Sequence, residues 1–101
     1  MIGPTPSDVY DMALEYLEKG DRANWLAYCE QAAIQGYPLA AVEIAKEYFR
    51  GQKPLSFDPV KTYKYLASAF TKGELSSAAL LGFCLYKGIG VEVDAAKAVA
   101  I

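Results

Sequence analysis

The chain has 101 residues, a formal net charge of −2 and no histidine. Its length suits one domain, and its 53% apolar content is sufficient for a hydrophobic core. The ten basic residues are scattered along the chain, which argues against a nucleic-acid partner. The lack of histidine removes the commonest general base and metal ligand.

Two cysteines, Cys29 and Cys84, are too widely separated for a zinc motif of the CxxC kind. We expect buried free thiols rather than a disulfide, which would require Cα atoms within about 7 Å. No apolar stretch approaches the roughly 18 residues of a membrane-spanning helix. The first residues lack the basic and apolar regions of a signal peptide. The sequence therefore predicts a cytoplasmic protein that makes no membrane contact.

Local signals divide the chain into six predicted helices. Proline at the first helical position, or a capping side chain just before it, marks most of the starts. Glycine marks five of the ends, because it adopts the left-handed conformation that other residues resist. The capping residues are Thr5, Asp21, Asp58 and Asp94, and the glycines are Gly20, Gly36, Gly51, Gly73 and Gly88. The predicted helices cover about 6–19, 22–35, 38–50, 59–72, 75–87 and 95–101.

Apolar residues recur at helical spacing and predict the inner face of each helix. In the loop 51–57, Leu55 and Phe57 are expected to pack back onto the neighbouring helices. Gly82 lies inside a predicted helix, where it costs about 1 kcal/mol relative to alanine, so we expect a neighbouring helix to approach closely there. The inner face of the first helix is predicted to carry Val9, Met12, Ala13 and Tyr16, and that of the fourth Val60, Tyr63, Leu66, Ala67 and Phe70.

The sequence repeats with a period of about 37 residues. When Gly73 is aligned with Gly36, Leu81 falls on Ile44, and Gly88 falls on Gly51. A period of this size with two helices per unit is the signature of a helical solenoid.

One stretch carries the resemblance to a known family. The third repeat contains Leu81-Gly82, Gly88, Gly90-Val91, Asp94 and Lys97-Ala98. On these residues the chain resembles the Sel1-like repeats, relatives of the tetratricopeptide repeats, over about 21–101. The resemblance implies an all-α, right-handed α-solenoid of about three antiparallel helical hairpins, the last one truncated. We expect a single domain over 1–101 with units at about 5–36, 37–73 and 74–101.

The resemblance also carries functional expectations. Such solenoids, common in bacteria and in eukaryotic quality-control assemblies, serve as adaptors or scaffolds. It implies a protein or peptide partner, no enzymatic activity and no cofactor. Together with the helical spacing, it assigns the binding surface to the concave face lined by the first helix of each hairpin. The candidate residues are Tyr10, Leu14, Leu17, Val42, Lys46, Phe49, Arg50, Phe83, Tyr86 and Lys87.

The side chains on this face suit one class of ligand. Aromatic rings beside cations favour an acidic or aromatic peptide, through packing and charge-assisted hydrogen bonds. The alternative is that Phe49 and Phe83 pack between hairpins while the cations cap helix ends. Two other functions also stay open: a structural segment of a longer repeat array, and self-association through the apolar residues 95–101, because solenoids normally end in a polar cap.

Overall fold

A computed structural model describes residues 3–101, and within that range the chain forms six α-helices, one 3₁₀ turn and no strand. Met1 and Ile2, which the predicted domain includes, lie outside the described residues. All six predicted helices are present. They are α1 (Pro6–Glu18), α2 (Arg22–Ile34), α3 (Pro38–Arg50), α4 (Pro59–Thr71), α5 (Ala78–Lys87) and α6 (Ala95–Ala100), with the 3₁₀ turn at Leu75–Ser77.

The predicted capping residues begin their helices. Thr5 and Asp8 form a reciprocal capping box at the start of α1, with each side chain bound to the other residue's backbone N–H at 3.0–3.1 Å. Because this bond favours the ionised carboxylate, it lowers the pKa of Asp8. Asp21, Asp58 and Asp94 cap α2, α4 and α6 by accepting a hydrogen bond from a backbone N–H of the first turn, without the reciprocal bond of a capping box.

The helices stack in chain order as three pairs. Helix α1 packs on α2, α3 on α4 and α5 on α6, while α2–α3 and α4–α5 contacts join one pair to the next. The chain measures 45 × 31 × 19 Å along its principal axes. This neighbour-to-neighbour packing is that of a helical solenoid.

Two buried clusters form the core. The first lies between the first two helix pairs and contains Trp25, Cys29 and Ile44, with Tyr48 at its edge. The second joins the last two pairs and is built on Leu66, Leu81, Cys84 and Leu85. Both cysteines are buried and free, as predicted.

Several predicted core positions are wrong. Met12 and Val60 are exposed at 37% and 61%, because each lies on the side of its helix that no neighbouring helix covers. In the loop before α4, Leu55 packs against the first cluster as expected. Phe57 packs edge-on against Phe49 of α3 but remains 54% exposed.

The C-terminal residues are less exposed to solvent than the sequence suggests. Ala98 and Ile101 pack against the second cluster, whereas Val99 is 88% exposed. A Cβ atom at Gly82 would lie 3.6 Å from the Ala98 carbonyl oxygen, so α6 does approach there, at an ordinary contact distance that leaves room for a methyl group. Self-association through 95–101 stays a prediction.

Candidate functional site

The outer surface of α3 and α5 carries most of the predicted binding residues. Phe49 is half-buried, and its ring centroid lies 6.3 Å from that of Phe83 on α5, with the rings perpendicular. Its other neighbour is Phe57, also at 6.3 Å and edge-on. We call these three rings the phenylalanine cluster. It joins the second and third helix pairs at the surface, so Phe49 does pack between hairpins, as the alternative hypothesis required.

The phenylalanine cluster is nonetheless open to solvent. Phe57 and Phe83 retain 54% and 43% of their exposure. Edge-to-face contacts stabilise aromatic rings without burying them. An apolar patch exposed in this way is typical of a surface that another molecule covers.

Cations and a further aromatic ring border the cluster. Tyr86 is 59% exposed at the end of α5, and the Lys87 ammonium lies 5.4 Å from its ring centroid. Arg50 pairs with Glu47 at 3.1 Å, and Lys46 lies 3.7 Å from the Glu43 carboxylate. Because the Lys46 and Arg50 charges are partly satisfied, Lys87 is the cation most available to a ligand.

The predicted residues of α1 lie in a different setting. The Tyr10 ring packs against Tyr37, just before α3, at 5.2 Å. Burial, followed by the nearby Glu43 carboxylate, raises the pKa of Tyr10 to about 12. Leu14 is half-buried against the first core cluster, whereas Leu17 is exposed. Tyr10 and Leu14 therefore help to join the first two helix pairs and offer less surface than the α3–α5 residues.

Val42 is not a surface residue. It is 1% exposed and belongs to the first core cluster. The sequence pattern assigned a second, outward stripe to α3, but this helix packs against neighbours on both sides because it lies in the middle of the stack. Val42 is therefore removed from the candidate site.

Phe57 is a surface aromatic that the sequence prediction misplaced. It directly precedes the capping residue Asp58, and Val93 precedes Asp94 in the next repeat. A Cβ at Gly51 would touch Phe57, and one at Gly88 would touch Val93. The apolar residue that precedes the capping aspartate in both the second and the third repeat is the signal that could have identified this position.

A second group of polar side chains was missed entirely. The Glu30 carboxylate of α2 accepts hydrogen bonds from Tyr48 at 2.7 and 2.8 Å and from Tyr65 at 2.9 Å. Lys61 lies 3.6 Å from the same carboxylate and 4.8 Å from the Tyr48 ring centroid. We call these four side chains the Glu30 network. Burial and the Glu30 bond raise the pKa of Tyr65.

Arg22 and Glu47 fix the loop between α3 and α4. The Arg22 guanidinium donates to Glu47 at 2.9 Å and to the Lys53 carbonyl oxygen at 3.1 Å. Glu47 is almost fully buried and is matched by this arginine and by Arg50. A buried carboxylate needs such partners, so this cluster has a structural role and holds in place the loop that carries Phe57.

The acidic and cysteine side chains of the described residues bear on metal binding and on thiol reactivity. No group of three or more histidine, cysteine or acidic side chains in residues 3–101 is placed to bind a metal. Burial raises the pKa of Cys29 to about 12 and also raises that of Cys84, which keeps both thiols protonated. Over the same residues, no helix is long and apolar enough to cross a bilayer.

Comparisons with known proteins bear on the family. A family model described as Sel1 repeat matches residues 2–20, 38–74 and 75–100. It includes α1, which the sequence resemblance did not, and omits 21–37, which follows a shorter turn than the other hairpins have. No curated protein matches the sequence.

A crystal structure of a Sel1 repeat protein from Oxalobacter formigenes has the same fold. It superposes with a TM-score of 0.81 at 24% sequence identity, and the match covers 92% of this chain and 72% of that one. Sel1 repeats generally act as protein-interaction scaffolds, and the family is non-catalytic. Because the family model matches most of the sequence, this chain belongs to the Sel1 repeat family.

Proposed function

We propose that this chain is a non-catalytic interaction module that binds a peptide segment of a partner protein on the α3–α5 surface. The observation that carries the proposal is the exposed phenylalanine cluster. Its rings come from α3, α5 and the loop between α3 and α4, so they sit on supported elements rather than on a free end. Rigid exposed aromatic residues supply much of the energy at protein interfaces.

The surroundings of the cluster favour a particular peptide chemistry. The Lys87 ammonium lies 5.4 Å from the Tyr86 ring centroid, and Arg50 follows Phe49 at the end of α3. An aromatic or large aliphatic anchor would pack on the rings, and a neighbouring Asp or Glu would bind the cations. We expect the ligand to combine both features within a few residues.

A peptide selection tests this proposal. A displayed random-peptide library would be panned against the folded protein, and the enriched peptides would be measured by fluorescence polarisation. We expect sequences with an aromatic residue next to Asp or Glu. The double variant Phe57→Ala/Phe83→Ala should weaken binding by about 30-fold or more, since losing a hot-spot cluster costs about 2 kcal/mol.

Leu75→Ala is the matched control. Leu75 is also a large exposed apolar residue, but it lies in the turn before α5, and its removal should leave the affinity within about twofold. Chemical-shift mapping would place the bound peptide independently of the variants. The proposal is wrong if the folded double variant binds the peptides as the wild type does, or if the shifts cluster away from α3 and α5.

A further inference from the structure

A shallow groove runs between α2 and α4, and none of its residues belongs to the proposed peptide-binding surface. Its volume is about 290 Å³. Ile34 forms an apolar wall and is 72% exposed. The groove is lined by Ala33, Ile34, Lys61, Lys64, Tyr65 and Ser68.

The groove is positively charged. Helix α4 contains Lys61 and Lys64 and no acidic residue, and Lys72 follows at its C-terminal cap. Lys61 is partly matched by Glu30. Lys64 is exposed and forms no ion pair with any side chain in residues 3–101. The groove therefore combines the free positive charge of α4 with an apolar wall on α2.

Helix α1 has the opposite character. It carries Asp8, Asp11, Glu15 and Glu18, all exposed, and no basic residue. Met12 is an exposed apolar side chain on the same face. Among the described residues, none of these four carboxylates forms a salt bridge. The chain thus displays an acidic amphipathic helix and a basic, partly apolar groove on separate parts of its surface.

We propose that α1 of one copy of this chain docks into the α2–α4 groove of a second copy. Asp11 and Glu15 are one helical turn apart, about 6 Å along the axis, and Lys61 and Lys64 are about 5 Å apart. The two charged pairs can therefore meet in register, with Met12 against Ile34. Complementary charges of this kind set the orientation of a contact and the choice of partner.

The contact joins two different surfaces. It closes into a pair if a two-fold axis lets each α1 reach the other copy's groove, and otherwise it links copies head to tail. One helix in a shallow groove buries less area than a permanent dimer needs, so the association is weak and concentration-dependent. It uses none of the residues of the phenylalanine cluster and stands apart from the proposed peptide binding.

Sedimentation velocity over a concentration series tests the proposal with single charge reversals. Lys64→Glu reverses a charge of the groove and leaves α1 unchanged. Glu15→Lys reverses a charge of α1 and leaves the groove unchanged. Each variant alone should associate at least about tenfold more weakly than the wild type, as should the wild type when NaCl rises from about 50 to about 500 mM. An equal mixture of the two variants should regain association, because the α1 of the first can dock in the groove of the second.

Two exposed charges away from both surfaces provide controls. Lys97→Glu and Glu92→Lys make the same charge changes and should leave association within about twofold. Circular dichroism would verify that all four variants are folded. A wild type that stays monomeric, a mixture that fails to associate, or an association that responds instead to Val99→Asp would overturn the proposal.

Discussion

Glu30 accepts hydrogen bonds from two tyrosines of the following helix pair, and it therefore links the first two pairs through a single side chain. Tyr48 comes from α3, and Tyr65 and Lys61 come from α4. Tyr48 is 7% exposed, so its hydroxyl has little access to water if the carboxylate is lost. The position of Glu30 on α2 therefore couples three helices through one charge.

Replacing Glu30 tests this coupling. Glu30→Ala leaves two phenol hydroxyls without their acceptor, and we expect the free energy of unfolding to fall by about 1–3 kcal/mol in urea titrations. Glu30→Gln keeps one carbonyl oxygen and should lose less. Glu18→Ala, which removes an exposed carboxylate of α1, serves as the control and should change stability by about 0.5 kcal/mol or less.

Glu30→Ala should also change the pH at which Tyr48 and Tyr65 ionise. Tyr48 and Tyr65 have pKa values raised in the folded state, so their stabilising contribution is complete below the ordinary tyrosine value and is lost as pH rises above about 10. In Glu30→Ala the tyrosinate absorbance should appear at lower pH than in the wild type. Unchanged stability and an unchanged absorbance titration would show that the Glu30 network contributes nothing.

At the level of the helices, local chemistry predicted every start except that of α5, which begins at Ala78 after a 3₁₀ turn rather than at about residue 75. The caps at Thr5, Asp21, Asp58 and Asp94 form the hydrogen bonds expected of them. These contacts span three residues, so the sequence contains all of the information they need. The predicted ends fall within about one residue of the observed ones for the same reason.

The exposure of individual helix faces was predicted less accurately than the positions of the helices. The sequence pattern assigned Val42 to the binding face and Val60 to the inner face of its helix, yet Val42 is buried and Val60 is exposed. The difference arises because α3 has neighbours on two sides, whereas the Val60 side of α4 has none. The Glu30 network could not be predicted for a related reason: its hydrogen-bonded pairs are 13 to 35 residues apart in sequence, and only the stacking of the helix pairs brings them together.

Gly90 joins the second helix pair to the third and allows a direct test at the level of the loops. Its φ is +72°, and a Cβ there would lie 1.9 Å from the Pro59 carbonyl oxygen at the start of α4. Gly90→Ala combines an unfavourable backbone conformation with a clash against main chain. We expect a loss of about 3 kcal/mol or more in thermal and urea unfolding.

Gly73→Ala is the matched comparison for Gly90→Ala. Gly73 has a φ of +88°, and a Cβ atom there would meet no other atom within 4 Å, so only the backbone cost of about 1–2 kcal/mol remains. Equal losses in the two variants would show that the loop at Gly90 can move away from α4 without penalty. A much larger loss at Gly90 identifies that loop as a contact on which the third pair depends.

Considered as a whole, the molecule has two core clusters with few side chains in common. Tyr65 packs against both clusters. Helix α3 lies between them and contributes Ile44 to the first and Ala45 to the second. Helix α6 has no buried residue, so the last pair is covered on one side only. A stack built from neighbour contacts is expected to open unevenly, from its ends inward.

Native-state hydrogen exchange measures the opening free energy of each helix separately. We expect amides of α6 to exchange at the lowest opening free energy and those of α3 at the highest. Val9→Ala and Leu85→Ala each remove buried methyl groups, from the first and second cluster respectively. The first should lower protection mainly in α1 and α2, and the second mainly in α5 and α6, because each pair contacts only its neighbours. If both variants lowered protection equally along the whole chain, the protein would unfold as one cooperative unit, and the two-cluster description would be wrong.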